Sequence, residues 1–319
     1  MRDLVAGLLG AGVQVARGDF TSIAEIRALS KAESIKGHPV RVEGVVLARF
    51  PDRGRLYVEH NGRGLVVIPP RQGSSLEFGA RVRVIGRTTV NLNSHVLADE
   101  VIVLNAEGTV PTPETVSVAE LLEAPRPYDG RLEVTGFAQS WRYTRTRVRL
   151  QLRDAGRVLE VSLPRQPRAA LARLLFSKVS IRGVLATSGM AAGRSRFWVD
   201  DGSHVIVHEE WPGDPYATEL VSVAKLTATN APVMLDKPYR LRVRVVRGDS
   251  ETGAFVIADD SGEVNLARLP GRETHVGDEL EMLVFRDSVG GTTPIEVAEL
   301  RWLGRREVDE GLPEAVRAY

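Results

Sequence analysis

The chain has 319 residues, enough for two or three domains that each bury a core. A hydrophobic content of 43% is ordinary for a globular protein, and a formal net charge of +1 gives the whole molecule no pull toward nucleic acid or membrane. The absence of cysteine excludes disulfides, thiol catalysis and Cys-ligated zinc, and no run of about 18 apolar residues offers a membrane-spanning helix.

Residues 1–19 contain the apolar stretch Leu4 to Ala16, which fits either a short helix packed on the first folded module or a signal-like segment with a weak charged start at Arg2. From there one phrase recurs three times: Ser22-Ile23-Ala24-Glu25-Ile26, Ser117-Val118-Ala119-Glu120-Leu121 and Ser222-Val223-Ala224-Lys225-Leu226. A spacing of about a hundred residues is too long for a solenoid unit and suits one small domain. The expected division is module one at 20–109, module two at 114–210, module three at 217–307 and a tail at 308–319.

In module one the repeated phrase predicts a short helical lead-in. Pro39 to Val46 alternates and then turns apolar on both faces, as a strand entering a barrel does. Leu56 to His60 is a second strand, Asn61-Gly62 a hairpin turn, Leu65 to Ile68 the return strand stopped by Pro69-Pro70, Phe78 to Gly86 the fourth strand and Val96 to Leu104 the fifth. Module two repeats this with Arg131 to Gly136, Arg149 to Arg157 and Lys178 to Gly183, and inserts a helical segment at Pro167 to Phe176. Module three supplies Tyr239 to Val246, Phe255 to Gly262 and Gly277 to Val284. Linkers at Val110 to Pro113 and Trp211 to Pro215 are short and proline-bearing, so the modules are expected in a fixed row. The predicted fold is all-β: three tandem OB-like five-stranded Greek-key barrels with short helical lead-ins. A row of sandwich domains is the alternative, but it needs about seven strands per module.

The phrases PVRVEGVV (39–46), LYVEHNGRGLVV (56–67), FGARVRVIG (78–86) and VLADEV (96–101), following the Ser-Ile-Ala-Glu-Ile lead-in, resemble the OB-like repeats found ahead of the transmembrane segments of certain large bacterial sensor histidine kinases. That family's second-strand motif, apolar-Val-x-Asp with a Gly turn, is matched by Phe255 to Asp260 with Gly262 and more loosely by Leu56 to His60 with Gly62. Its fourth-strand motif is matched by Gly79 to Gly86 and Gly277 to Leu280. The resemblance covers nearly everything after residue 20. It implies an extracytoplasmic sensing or interaction role and carries over no binding residue. This sequence has no transmembrane helix, kinase core or phospho-acceptor segment, so it is a stand-alone protein or a piece of a longer one.

No nucleophile elbow, phosphate-binding glycine loop or His-Glu zinc helix is present. His204 and His208, four apart on a strand, lie about 13 Å apart and cannot share a zinc unaided. Asp200-Asp201 and Asp259-Asp260 stand beside Gly and Ser and read as turn residues. Arg240, Arg242 and Arg244 can pair with Glu279 and Glu281 across two strands. The expected cofactor and metal content is none, and no catalytic residue is assigned.

The second module holds the informative stretch. Residues 127 to 183 carry twelve Lys or Arg against four Asp or Glu, so a near-neutral total conceals a basic middle. Trp141 to Arg153 alternates, which predicts Trp141, Tyr143, Arg145, Arg147, Arg149, Gln151 and Arg153 on one exposed face and Thr146, Val148, Leu150 and Leu152 in the core. The candidate partner-binding residues are therefore Trp141, Tyr143, Arg145, Arg147, Arg149 and Arg153. Arg147→Glu is expected to abolish binding without unfolding the protein.

Three functions fit. The first is a non-enzymatic binding or scaffold protein, an extracytoplasmic (periplasmic) sensory or interaction region of a bacterial signalling or envelope assembly, with a protein or glycan partner. The second is a cytoplasmic single-stranded nucleic-acid binder using the basic aromatic face of module two. The third is a structural protein assembling through its β modules. Oligomeric state stays open.

Overall fold

The computed structural model describes residues 19–50, 54–70, 76–90, 95–123, 130–186, 196–200, 204–228, 236–248, 254–266, 274–286 and 295–305. The stretch 1–18, Asp201 and the tail 308–319 lie outside the described residues.

Each copy of the repeated phrase forms a short helix: α1 (Ile23–Ala28), followed by the single turn α2 (Lys31–Ser34), then α3 (Val118–Glu123) in the second module and α5 (Val223–Thr227) in the third. Helices of five or six residues are not stable alone. These are held by paired apolar side chains, Ile23 and Ile26, Val118 and Leu121, Val223 and Leu226, each buried in its own barrel core. The serine of the phrase caps the helix in two modules, accepting from the Glu120 and Lys225 amides. The second-strand aspartate closes the same end: Asp154 accepts from the Ala119 amide at 3.3 Å and Asp259 from the Val223 amide at 2.8 Å. Asp259 also accepts from the Ser261 and Gly262 amides, so it serves a turn, as its neighbours predict.

The first barrel contains β1 (Pro39–Phe50), β2 (Arg55–His60), β3 (Arg63–Ile68), β4 (Arg81–Thr88) and β5 (Val96–Asn105) and closes in the order β1-β2-β3-β5-β4, with β3 and β5 parallel. The second adds a lead-in strand β6 (Glu114–Ser117) to β7 (Arg131–Tyr143), β8 (Arg147–Asp154), β9 (Arg157–Pro164) and β10 (Lys178–Ala186), with α4 (Arg168–Leu174) between β9 and β10. Its fifth strand comes in two pieces, β11 (Arg196–Trp198) and β12 (Val205–Glu209), both paired with β10; β10 also pairs with β7 and so completes the circuit. The third barrel runs β13 (Tyr239–Gly248), β14 (Phe255–Asp259), β15 (Gly262–Leu266), β16 (Asp278–Arg286) and β17 (Ile295–Arg305) in the sheet order β15-β14-β13-β16-β17. This is the all-β, OB-like architecture with helical lead-ins, and five strands per barrel leave no room for the sandwich alternative.

The first strands run longer than the sequence pattern suggests, because each carries a bulge, at Leu47, Gln139 and Val246, and then curls on into a second sheet pairing. The fourth-strand glycine is structural: a Cβ on Gly86 or Gly183 would lie 2.2 or 2.3 Å from the carbonyl oxygen of Leu97 or Trp198 on the crossing fifth strand.

The barrels dock by one repeated geometry. The bulged wall of one barrel, its tail, meets strands four and five of the next, its head. At the first joint Leu47, Ala48, Phe50, Tyr57 and Val66 pack on Val184 and Trp198, with the Phe50 and Trp198 rings edge to face at 4.6 Å. The Asp200 carboxylate accepts from the Arg49 amide at 3.0 Å. At the second joint Phe176 packs on Leu283 and Phe285. Val184 and Phe285 occupy the same register position of the fourth strand, and Trp198 and Glu296 are their fifth-strand partners.

Phe176 has a φ of 63°, where the other two barrels place Gly79 and Gly277 at 85° and 90°. An L-residue pays about 1–2 kcal/mol for that backbone. Phe176 keeps it while its ring packs 5.8 Å from both Trp211 and Phe285 at the joint. Phe176→Ala keeps the strain and loses the contacts, an expected loss of about 3–5 kcal/mol. Phe176→Gly loses the same contacts but relieves the strain. It is therefore expected to be about 1 kcal/mol more stable than the alanine variant, the reverse of the usual order, as read by urea unfolding.

In the first barrel His95 accepts from the Val66 amide through Nδ1 at 3.0 Å, with Arg27 at 2.7 Å from Nε2. Burial, with the Arg27 charge second, pushes its pKa down to about 3. A depressed folded pKa stabilises above the unfolded value of 6.5, and that stability is lost as pH falls from 6.5 toward 3. The native protein is expected to lose about 1 kcal/mol per pH unit through this window, and His95→Gln to flatten the slope, in urea unfolding followed against pH.

Candidate binding surface on the second barrel

The alternation from Trp141 to Arg153 does not lie on one strand. Thr144 turns the chain: its amide donates to the Arg147 carbonyl at 2.8 Å and its hydroxyl oxygen accepts from the Arg147 amide at 3.0 Å. Trp141 and Tyr143 therefore end β7, while Arg147 to Arg153 belong to β8. In the resulting register Trp141 faces Leu150 and Tyr143 faces Val148, both core residues, and Arg142 faces Arg149. A three-residue turn does not carry side-chain parity from one strand to the next, so the continuous exposed face expected from the alternation is not formed.

Two of the six candidate residues are buried rather than exposed. Arg147 is 7% exposed. Its Nε donates to the Ser162 hydroxyl at 2.9 Å, its Nη2 to the carbonyls of Ser162 and Val199, and its guanidinium lies 5.3 Å over the Trp198 ring that docks into the first barrel. Arg153 is 1% exposed. It donates to Gln139 Oε1 at 2.7 Å and to Glu296 Oε2 of the third barrel at 2.6 Å, and lies 4.9 Å over the Phe285 ring. Both arginines build joints.

The other four gather at the β7–β8 end of the barrel. Trp141 packs against the core with its ring 5.4 Å from Tyr143, edge to face. Tyr143 is 39% exposed, and its hydroxyl donates to the Gln166 carbonyl at 2.8 Å. Arg145 sits exposed in the turn; Arg149 is partly exposed, 3.7 Å from the Glu160 carboxylate. Three arginines outside the expected set join them. Arg142 reaches the same Glu160 at 3.9 Å. Arg165 lies 5.1 Å over the Tyr143 ring and Arg168 6.0 Å over Trp141. Arg165 and Arg168 come from the β9–α4 segment, which the sequence pattern marks only as a helical insert; the run Pro164-Arg165-Gln166-Pro167-Arg168 is the available signal.

The charges divide between the two faces of the β7–β8 pair: Arg142 and Arg149 flank the Glu160 carboxylate on one, while Arg165 and Arg168 lie over Tyr143 and Trp141 on the other, with Arg145 in the turn between them. A further acid close by is Glu299 of the third barrel, whose carboxyl burial pushes up while Arg301 and Arg168 pull it down. A guanidinium stacked on an aromatic ring is held flat and presents its N–H edge outward, the geometry that grips carboxylate, sulfate or phosphate oxygens. In an OB barrel the loop between strands one and two, here Thr144–Thr146, is a usual ligand-contacting loop.

His204 packs 4.9 Å from the Phe78 ring and His208 Nε2 lies 2.6 Å from the Ser180 hydroxyl, so neither faces the other. Arg240 and Arg242 pair with Glu281 at 3.7 and 3.5 Å, as the cross-strand reading expects. Among the described residues no three His, Asp or Glu side chains gather to hold a metal ion, and no helix is long and apolar enough to cross a membrane.

No protein-family model matches the chain, and no curated protein matches it. Among solved structures, asparaginyl-tRNA synthetase from Entamoeba histolytica, in complex with asparaginyl-adenylate, aligns at 17% identity over 32% of this chain and 25% of its own, with a TM-score of 0.25. The Ifi202 HINa domain in complex with double-stranded DNA aligns at 11% identity over 53% of this chain and 95% of its own, with a TM-score of 0.27. A murine DNA-binding protein bound to double-stranded DNA gives 11% identity, 55% and 99% coverage and a TM-score of 0.24. The alignment thus spans about a quarter of the synthetase. Likeness at this level adds nothing to what the strand pairing already establishes.

The burial of Arg147 reverses the behaviour expected of its variant. Arg147→Glu places an acid among the carbonyls of Ser162 and Val199 and is expected to destabilise by about 3–5 kcal/mol. Arg145→Glu, in the exposed turn, is expected to stay within about 0.5 kcal/mol of the parent. Chemical denaturation of the two variants checks the contrast.

Proposed function

We propose that this chain is a non-enzymatic binding scaffold, the extracytoplasmic sensory or interaction region of a bacterial signalling or envelope assembly, and that it holds its partner at the β7–β8 end of the second barrel. The observation that carries this reading is where the barrels touch. The second and third strands of an OB barrel usually form its ligand wall. In the first barrel Tyr57 and Val66 of that wall are 3% and 8% exposed inside the joint, and in the second Arg153 is covered by the third barrel. With those walls occupied, contact falls to barrel ends, and the end where Arg145 and Arg165 flank Tyr143 is matched to an acidic surface of a protein or glycan. The bacterial, extracytoplasmic setting rests on the repeat motifs alone.

A second reading has its own observation. Tyr143, exposed at the end of β7 next to Arg145 and with Arg165 over its ring, is a stacking residue within reach of phosphate-binding groups, which favours single-stranded nucleic acid. Fluorescence anisotropy of a labelled oligonucleotide of about 16 nucleotides separates the two. The scaffold reading expects any binding at low salt to vanish at about 0.15 M, where exposed charges are screened beyond ~8 Å. An isotherm that persists at that salt, and is lost in Arg145→Glu and Arg165→Glu, would replace it with the nucleic-acid reading.

A further inference from the structure

Each joint uses the same two surfaces, and among the described residues the head of the first barrel and the tail of the third meet no other barrel. The register positions identify both. The head position filled by Val184 in the second barrel and Phe285 in the third is Arg87 in the first, and its fifth-strand partner, Trp198 or Glu296 in the others, is Leu97. Leu97 is 41% exposed. On the tail side the bulge residue Leu47 or Gln139 corresponds to Val246, and the residue before the positive-φ position, Phe78 or Leu175, corresponds to Val276. Phe78 and Leu175 pack into their joints, whereas Val276 is 41% exposed.

The two open ends also match in charge. Arg87 pairs with Asp99 on the head at 3.3 Å, with both side chains more than half exposed. Arg247 pairs with Glu263 on the tail at 3.0 Å, likewise exposed. Among the described residues each end presents an exposed ion pair beside an apolar residue, so the pairs can exchange partners across a joint, Arg87 to Glu263 and Arg247 to Asp99.

We propose that the tail of the third barrel is a docking surface for the head of the first barrel of a second copy, which continues the row from one molecule to the next. The contact is heterologous, head to tail, so it adds copies in line rather than closing a two-fold dimer. Arg87 replaces the apolar residue of the two internal heads, and no linker raises the local concentration, so the contact is weaker than the internal joints and reversible. The assembly does not depend on what the second barrel binds.

Sedimentation velocity on the full chain between about 1 µM and 1 mM tests it. The weight-average mass is expected to rise with concentration above the 34.9 kDa of one chain. Leu97→Glu, which blocks the head, and Val276→Glu, which blocks the tail, are each expected to remain monomeric. Mixed in equal amounts, the two variants are expected to form dimers and stop there, because one retains a tail and the other a head. A wild-type protein that stays monomeric across the range overturns the proposal. So does a mixture that stays monomeric while the wild type assembles, which would place the contact elsewhere. If circular dichroism shows either glutamate variant misfolded, Leu97→Ser and Val276→Ser carry the same comparison. Oligonucleotide anisotropy is unaffected by these end substitutions, so the failure of one proposal does not imply failure of the other.

Discussion

A guanidinium with almost no exposed surface sits where the second barrel meets the third. Taking such a charge out of water costs several kcal/mol unless its partners are all in place. Arg153 is satisfied only by groups from two barrels together: Gln139 at the bulge of its own barrel, and Glu296, the Arg286 carbonyl and the Phe285 ring of the next. Sliding or rotating the third barrel would strand the charge. The joint is thus defined in orientation as well as in contact. Asp236 adds a second tie, accepting from the Ala155 and Gly156 amides at the tip of the β8–β9 hairpin.

A fixed row has a consequence for binding. OB barrels usually bind along a wall that, in the first two barrels of this chain, is partly built into the joints. The surplus of arginine in the second barrel is accordingly divided. Arg147 steadies Trp198 at one joint, Arg153 locks the other, Arg142 and Arg149 flank Glu160, and Arg145, Arg165 and Arg168 remain at the open end around Trp141 and Tyr143. Counting charges along the segment could not separate these groups, because the count is the same whether an arginine faces water, a ring or a carboxylate.

The parts of the fold that were legible are those fixed by nearby residues. The repeated serine phrase marks the lead-in helices because its apolar pair and its cap lie within five residues. Asn61-Gly62 marks a hairpin because both residues accept the positive φ of 52° and 71° that the turn imposes. The site was less legible for two reasons. Thr144-Arg145-Thr146 turns the chain without glycine, proline or asparagine, so the alternation reads as continuous. Comparison with the repeat held the correction, since the hairpin alignment starts the equivalent strand near Arg149. The burial of Arg147 and Arg153 was not readable at all, because Val199 and Glu296 lie 52 and 143 residues further along the chain.

Tandem copies of one fold risk docking in the wrong order, since every barrel offers a head and a tail of the same shape. Here the joint residues differ where the backbone does not. The tail that carries Arg153 needs a carboxylate in the facing head, which the third barrel supplies as Glu296 and the second, with Trp198 at that position, does not. The tail of the first barrel packs Leu47, Tyr57 and Val66 on Trp198 and sets Arg49 against Asp200, a different set of contacts. Docking a head that carries Trp198 on the Arg153 tail would therefore leave that charge unpaired in a closed joint, a penalty of several kcal/mol. The repeat gives the barrels a common way to dock, and the Arg153–Glu296 pair makes the second joint selective for its own partner.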